Sequence, residues 1–215
     1  NAVIMIMALG MLGVLLVGGI DISVASTLSF SGMTVGMLMK NGIVTSTPLL
    51  FIIAIAVGAV CGALIGLVIA YGKVLPIIAT MGFMYIYRGM AYLISNSEWA
   101  SAENLGNFKN FALGKVLGLN NVIWVMILCY IIFFVVMKWT RIGRKIYAVG
   151  SNREAAAISG INTKRVILST YVLSAVGAAI AGIVLTSYYN VAKSDLGSTF
   201  TMNIITIVVL GGTLS

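Results

Sequence analysis

Few residues in this chain are of the types that carry out acid–base or nucleophilic chemistry. The sequence has five acidic residues, no histidine and two cysteines, Cys61 and Cys129, both within apolar runs. Histidine is the usual proton carrier near neutral pH and a common metal ligand, whereas a cysteine in an apolar run behaves as a small hydrophobic residue. The sequence therefore predicts no catalytic residue, no bound cofactor and no metal site.

Several sequence motifs of hydrolytic enzymes and ATPases are also missing. The chain has no phosphate-binding GxxxxGK[ST] loop, no GxSxG and no HExxH. Each of these motifs places particular groups around a phosphate, an acyl group or a zinc ion. The protein is therefore predicted to be a passage for solutes and not an enzyme.

Two ionisable residues inside apolar runs are candidates for a functional site. Asp21 follows Gly18 and Gly19, and Arg88 precedes Ser95 by two helical turns. Charged residues at membrane depth are rare and often mark the path of a solute. Asp21 is also suited to cap a helix that begins after it, and Arg88 is long enough to reach the membrane surface. Both interpretations remain open for each residue.

The composition indicates that these residues belong to a membrane protein. Hydrophobic residues make up 60% of the 215-residue chain and charged residues 8%, and the mean hydropathy is +1.10. A soluble domain carries about 25% charged residues, so this sequence has too few to cover a water-exposed surface. We expect a single transmembrane domain over residues 1–215, which starts and stops at apolar runs and is therefore expected to be truncated at both ends.

Apolar runs of the right length predict an all-α transmembrane helical bundle. A spanning helix needs about 20 mostly apolar residues. Six runs and a partial seventh predict about six to seven helices, near residues 3–20, 22–39, 48–71, 74–95, 121–137, 166–189 and 200–212. Between the first two runs, two glycines and Asp21 predict a broken helix near residues 18–23, which membranes tolerate only where it faces protein or a cavity.

The distribution of basic residues predicts which loops face the cytoplasm. Because Lys and Arg concentrate in cytoplasmic loops, the loop of residues 138–165 is expected there and the loop of residues 96–120 outside. Lys40, also placed outside, is the single exception. Membrane orientation accounts for the net charge of +8 better than nucleic-acid binding does. Seven of the thirteen basic residues lie in the 138–165 loop: Lys138, Arg141, Arg144, Lys145, Arg153, Lys164 and Arg165.

Within the 138–165 loop, residues 152–160 are predicted to form a short surface helix. Asn152 is a suitable N-cap, Glu154 complements the positive N-terminus of a helix, and Gly160 is a suitable stop. The residues alone leave two interpretations open. The helix either docks onto a cytoplasmic partner, or the segment is a solvated loop that only carries charge.

Short motifs follow one another along nearly the whole chain: GGIDIS (18–23), YRG (87–89), RIGR (141–144), YAVG (147–150), EAA with a later GI (154–161), YVLS (171–174), AGI (181–183) and VVLGGT (208–213). In this order they resemble the ribose-type permeases of bacterial ABC importers. Residues 187–198 are similar to the branch of that family that handles autoinducer 2 and rhamnose.

The resemblance implies a permease subunit of the bacterial cytoplasmic (inner) membrane, with several partners. It implies a second permease copy or a sister permease, and an extracytoplasmic binding protein that delivers a sugar. It also implies cytoplasmic ATPase subunits, which bind ATP and magnesium. The coupling contact with the ATPase falls, by the same resemblance, on Asn152, Arg153, Glu154, Ala155, Ala156 and Gly160.

A route for the solute is expected along polar residues within or near the membrane. The binding protein is expected to dock on outer loops that include residues 96–120 and 190–199. The main alternative is a secondary transporter or facilitator for small polar solutes, which would need no ATPase. The predicted route residues are Asp21, Ser23, Ser26, Arg88, Asn190 and Asp195.

Overall fold

The structure, a computed structural model, describes residues 1–211 and is mostly helical, which confirms the predicted all-α class. A two-residue antiparallel pair, β1 (Lys115–Val116) with β2 (Leu119–Asn120), precedes α7. The helices in chain order are α1 (Ala2–Leu16), α2 (Val24–Lys40), α3 (Thr47–Ala70), α4 (Pro76–Ser95), α5 (Ala102–Leu105), α6 (Lys109–Leu113), α7 (Asn121–Trp139), α8 (Arg141–Ser151), α9 (Arg153–Ile158), α10 (Thr163–Tyr189) and α11 (Phe200–Leu210).

Four of the predicted spans form helices that are long and apolar enough to cross a membrane. These are α3, α4, α7 and α10, with 24, 20, 19 and 27 residues. The partial run near 200–212 becomes α11, and its last residue, Gly212, lies outside the described part of the chain.

The first two predicted spans are shorter than expected, because the break between them is wider. Helix α1 ends at Leu16 and α2 begins at Val24, so residues 17–23 are non-helical. Gly18 has a φ of 77°, and the Gly19 N–H donates to the carbonyl oxygen of Val14. A left-handed glycine followed by this hydrogen bond is a common helix stop. The predicted broken helix is thus confirmed, and it spans residues 17–23.

Helices α1, α2 and α3 all pack against α10. A methyl group at Gly62 of α3 would lie 2.5 Å from the carbonyl oxygen of Tyr171. Gly58 and Gly66, one turn away on either side, are equally close to α10, and a methyl group at Gly182 would overlap the backbone of α2. Small residues at this spacing let helices approach closely in membranes, where the hydrophobic effect does not drive helices together.

The loop predicted between the last two long spans is mostly helical. Thr140 caps α8 through its Oγ1, which accepts from the N–H groups of Ile142 and Gly143. Ile146 and Val149 of α8 are buried, while Arg141 is exposed. The 138–165 segment therefore contains two helices, an amphipathic α8 and the predicted short α9.

Candidate functional site

Helix α9 has the start and the end that its sequence predicts. The Oδ1 atom of Asn152 accepts hydrogen bonds from the N–H groups of Glu154 (3.0 Å) and Ala155 (2.9 Å). At the other end, Gly160 has a φ of 80°, and the Ile161 N–H donates to the carbonyl oxygen of Ala156. The cap and the left-handed glycine fix α9 to six residues, Arg153–Ile158.

The apolar residues of this segment point in two directions. Ala156 is 5% exposed and Ile161 is partly buried against the protein, whereas Ile158 is 88% exposed. A fully exposed isoleucine at the end of a surface helix is available to a partner, and the buried alanine fastens the helix to the bundle. The segment therefore has one inward side and one outward side.

The inward side of α9 packs on α8, and α8 in turn contacts the end of α1. A methyl group at Gly150 of α8 would overlap the carbonyl oxygen of Leu16, so α8 and α1 are in direct backbone contact just before the break. The name α8–α9 cluster is used below for the buried residues Met137, Ile146, Val149, Ala156 and Val166, against which Leu16 and Val17 pack.

The break itself is tied to α10 through Asp21. The Asp21 Oδ1 atom accepts hydrogen bonds from the N–H and the Oγ–H of Ser23, and its Oδ2 accepts from the Ser174 hydroxyl at 2.9 Å. Both Asp21 and Ser23 are buried. Asp21 accepts the N–H two residues on, as a capping side chain does, although Ser23 itself is the N-cap of α2, so the capping interpretation stays open beside a role in the route.

A second set of residues encloses the break. The Tyr171 hydroxyl would be 2.5 Å from a methyl group at Gly19, and the Thr80 hydroxyl of α4 lies 3.4 Å from the carbonyl oxygen of Ile20. Tyr171 and Ser174 lie eight and eleven residues from the start of α10, which is about 12 and 17 Å along its axis. The break is therefore well inside the bundle and away from both ends of α10.

Buried polar atoms without a hydrogen-bond partner within residues 1–211 lie on α2, α4 and α10. Three of them belong to predicted route residues. Ser26 and Asn190 are buried, and Arg88 is partly buried. A buried polar atom left unpaired costs about 1–3 kcal/mol, so each one calls for an explanation. The atoms are Ser26 Oγ, Arg88 Nε, Tyr171 OH, Thr186 Oγ1 and Asn190 Oδ1.

The predicted route residues do not form one cluster. Asp21 and Ser23 are bonded to each other near Ser174, whereas Asn190 is the C-cap of α10 and Asp195 is exposed beyond it. Ser174 and Asn190 are sixteen residues apart, about 24 Å along the axis of the helix. The residues are therefore spread along the helix and do not form a single binding pocket.

The far end of α10 carries a second surface, here called the Trp99 face (residues 96–120 and 190–199). Ala100 and Ala192 pair through their backbones, and the Lys193 Nζ lies 3.9 Å from the ring centre of Trp99. Lys40 forms an ion pair with Glu98 on the same surface. The basic residue that deviated from the expected charge distribution is therefore neutralised by a neighbouring carboxylate.

Sequence reasoning missed Ser174 and Tyr171 as site residues. Both lie in the YVLS motif, but they were not paired with the break because nothing local relates them to Asp21, 153 residues away from Ser174. The available signal was the hydroxyl groups themselves, two polar side chains in a spanning helix.

Comparison with known proteins places the chain among transport permeases. The family model described as "Branched-chain amino acid transport system / permease component" matches residues 1–215. The "Autoinducer 2 import system permease protein LsrD" of Escherichia coli (strain SMS-3-5 / SECEC) is 35% identical over 212 residues, as is that of Shigella flexneri. No solved structure matches significantly.

The alignment covers 96% of this chain and 64% of each relative, so the chain spans just under two thirds of their length. The apolar helices and the family match agree that this is a membrane protein. The predicted resemblance to importer permeases is confirmed, and the chain belongs to the family of branched-chain amino acid transport system permease components.

Proposed function

We propose that this chain is the membrane permease of an ATP-driven importer for a sugar-like solute, and that a separate ATPase operates it through α9. The observation that carries the proposal is the α8–α9 cluster, in which Ala156 of α9 is buried with Ile146 and Val149 of α8, and against which Leu16 and Val17 pack. The cluster connects α9, through α8, to the broken helix. In this proposal the face that carries α9 is cytoplasmic.

Close packing lets the connection between α9 and the broken helix carry movement. Protein interiors are close-packed and transmit displacement rather than absorbing it. A displacement of α9 moves Ala156 and, through the α8–α9 cluster, moves α8. The backbone contact between Gly150 of α8 and Leu16 then passes the movement to the end of α1. Residues 17–23 follow directly, and their hydrogen bond to Ser174 ties them to α10.

The Trp99 face suits the docking of an extracytoplasmic binding protein. The two loops expected to receive it lie together, joined by the Ala100–Ala192 backbone pair. The Ser187 hydroxyl donates to the carbonyl oxygen of Phe108 at 2.7 Å and fastens the 96–120 loop to α10. The exposed ring of Trp99 offers an aromatic anchor of the kind that is frequent at protein interfaces.

The polar groups along the proposed route favour a hydroxyl-rich, uncharged solute. Ser26 and Asn190, two of the proposed route residues, have an unpaired hydroxyl and an unpaired amide oxygen, which exchange hydrogen bonds readily with sugar hydroxyls. The similarity to autoinducer 2 permeases supports the same class. The family description names branched-chain amino acids, so leucine is the competitor that a substrate test must include.

The assembly follows from the same proposal. The permease pairs with a second copy or a sister permease, and cytoplasmic ATPase subunits bind ATP and magnesium. No phosphate-binding GxxxxGK[ST] loop occurs in these 215 residues, which agrees with a separate ATPase. The chain has no catalytic role in this scheme.

Two substitutions that add positive charge at the ends of the α9 segment test the ATPase contact. Glu154→Lys and Gly160→Arg in the full-length permease are expected to abolish co-purification of the ATPase subunit encoded with it, because both alter the exposed ends of α9. Glu103→Lys is the matched control, since Glu103 also lies in the first turn of a short helix, α5, but on the Trp99 face. It is expected to leave the ATPase bound.

Uptake into liposomes separates the proposal from the alternative of a facilitator. Autoinducer 2 and ribose are offered with leucine as competitor, and uptake is expected only when the ATPase, the binding protein and ATP are all present. Equal uptake by the permease alone would contradict the proposal and favour a facilitator. Normal ATPase binding by both α9 variants would contradict the role of α9.

A further inference from the structure

A basic cleft lies beside α9, where α3 ends and α4 and α10 begin. Its volume is about 390 Å³. Lys73, Arg153 and Lys164 line it together, and no carboxylate does so in the part of the chain that the structure describes. The remaining lining residues are mostly apolar: Ile69, Ala70, Val74, Leu75, Pro76 and Thr163.

Three cations around one cleft repel each other unless an anion balances them. Lys73 has a φ of 56°, in the left-handed region that non-glycine residues seldom occupy. Lys164 is held with its Nζ 5.3 Å from the ring centre of Tyr71. All three basic residues are exposed at the surface, and the ring contact restrains the Lys164 side chain beside the cleft.

The cleft lies at the ends of spanning helices, and this position indicates how deep in the membrane its ligand would lie. Ala70 is the last residue of α3 and Pro76 the first of α4, and both helices are long enough to cross the membrane. The turn between them therefore lies at the boundary between hydrocarbon and water, the level of lipid headgroups. The apolar side chains of Leu75 and Ile78 are 67% and 61% exposed next to it.

We propose that this cleft binds the phosphate-bearing headgroup of an anionic phospholipid. Lys73, Arg153 and Lys164 contact the phosphate, and the acyl chains lie along the apolar surface of α4. Basic pockets between spanning helices are suited to such headgroups. The proposal requires only that the chain spans the membrane, so it stands or falls separately from the ATP-driven function.

Native mass spectrometry of the full-length protein tests the site. The protein is titrated with phosphatidylglycerol or with phosphatidylcholine of the same acyl chains, and the affinity for the first bound lipid is measured. Preferential binding of phosphatidylglycerol is expected. Lys73→Gln with Lys164→Gln should weaken it roughly 30-fold, because each basic residue contributes about 1 kcal/mol to anionic lipid binding.

Lys138→Gln with Arg141→Gln is the matched control, because it removes two cations of the neighbouring 138–165 segment that do not line the cleft. It should leave the preference near the wild-type value. Equal loss in both double variants would mean general attraction to an anionic surface, and would overturn the site. Displacement of the lipid by inorganic phosphate at the same concentration would identify a soluble phosphate ligand and overturn the lipid. Unchanged lipid binding in the Lys73/Lys164 variant, with or without loss of the ATPase, would also overturn it.

Discussion

The two ends of α10 are held together by different kinds of contact. At the Trp99 face, polar contacts join distant parts of the chain, in addition to buried apolar residues such as Leu105: an ion pair between Lys40 and Glu98, and a hydrogen bond from Ser187 to Phe108. At the end that carries α9, the side-chain hydrogen bonds are local helix caps, and distant parts of the chain meet through the apolar α8–α9 cluster. Directional hydrogen bonds fix the shape of a surface, whereas close-packed apolar groups pass on a displacement.

The difference assigns different tasks to the two ends. The Trp99 face is built as a fixed platform, and none of its contacts described above reaches residues 17–23. At the end with α9, Gly150 of the neighbouring α8 contacts the backbone of Leu16, directly before the break. In the proposed importer the platform receives the solute carrier, and the apolar end carries movement to the route.

The largest effect is expected from a change in α3 where it packs closely on α10, the helix that joins both ends. Gly62→Ala places a methyl group 2.5 Å from the Tyr171 carbonyl oxygen and 2.7 Å from the Val172 Cα. Backbone atoms cannot give way unless α3 moves from α10, so the variant should lose about 1–3 kcal/mol of stability. The thermal midpoint in detergent measures the loss.

Gly82→Ala is the control for this variant, because no atom lies within 4 Å of a methyl group there. It should leave the thermal midpoint unchanged or raise it, since alanine is the better helix former. If both variants behave alike, the two ends are not connected by tight packing on α10.

The smallest effect is expected at the Lys40–Glu98 pair of the Trp99 face. The hydrogen bond from Lys40, together with its positive charge, lowers the pKa of Glu98. A lowered pKa means that the pair stabilises the protein above the unfolded-state pKa, and that this contribution is lost as the pH falls through the lowered value. Because the carboxylate is exposed, solvent screens the pair.

Glu98→Gln should therefore change the thermal midpoint very little at neutral pH. The small difference from wild type should shrink as the pH falls below the ordinary pKa of a glutamate, and vanish as it falls through the lowered pKa of Glu98. Thermal midpoints measured across this pH range check both points. A large loss at neutral pH, or a difference that grows in acid, would mean that the platform depends on this ion pair.

Local features of α9 could be predicted from the sequence because their causes are local. Asn152 bonds to N–H groups two and three residues on, and the left-handed conformation of Gly160 ends the helix at once. The break was predicted for the same reason, since Gly18 and Gly19 act on their own backbone. Only its extent to residues 17–23 was underestimated.

Contacts between distant parts of the chain could not be predicted in this way. Ser174 meets Asp21 because the break packs against α10, and Gly150 meets Leu16 because α8 packs on the end of α1. The same limit applies to the route. Asn190 and Asp21 were grouped by polarity, and no sequence pattern shows that α10 separates them.

The link between α9 and the break is tested most directly with the Gly150→Ala variant of the importer, reconstituted in liposomes. The quantity measured is the number of solute molecules transported per ATP hydrolysed. The added methyl group overlaps the Leu16 carbonyl oxygen, so it should alter the contact that passes movement to α1. ATPase binding and hydrolysis should persist, while the transport ratio falls about tenfold, within the range of coupling free energies of about 1–3 kcal/mol. Gly82→Ala should keep the wild-type ratio. A wild-type ratio for Gly150→Ala, or an equal fall in both variants, would contradict the link.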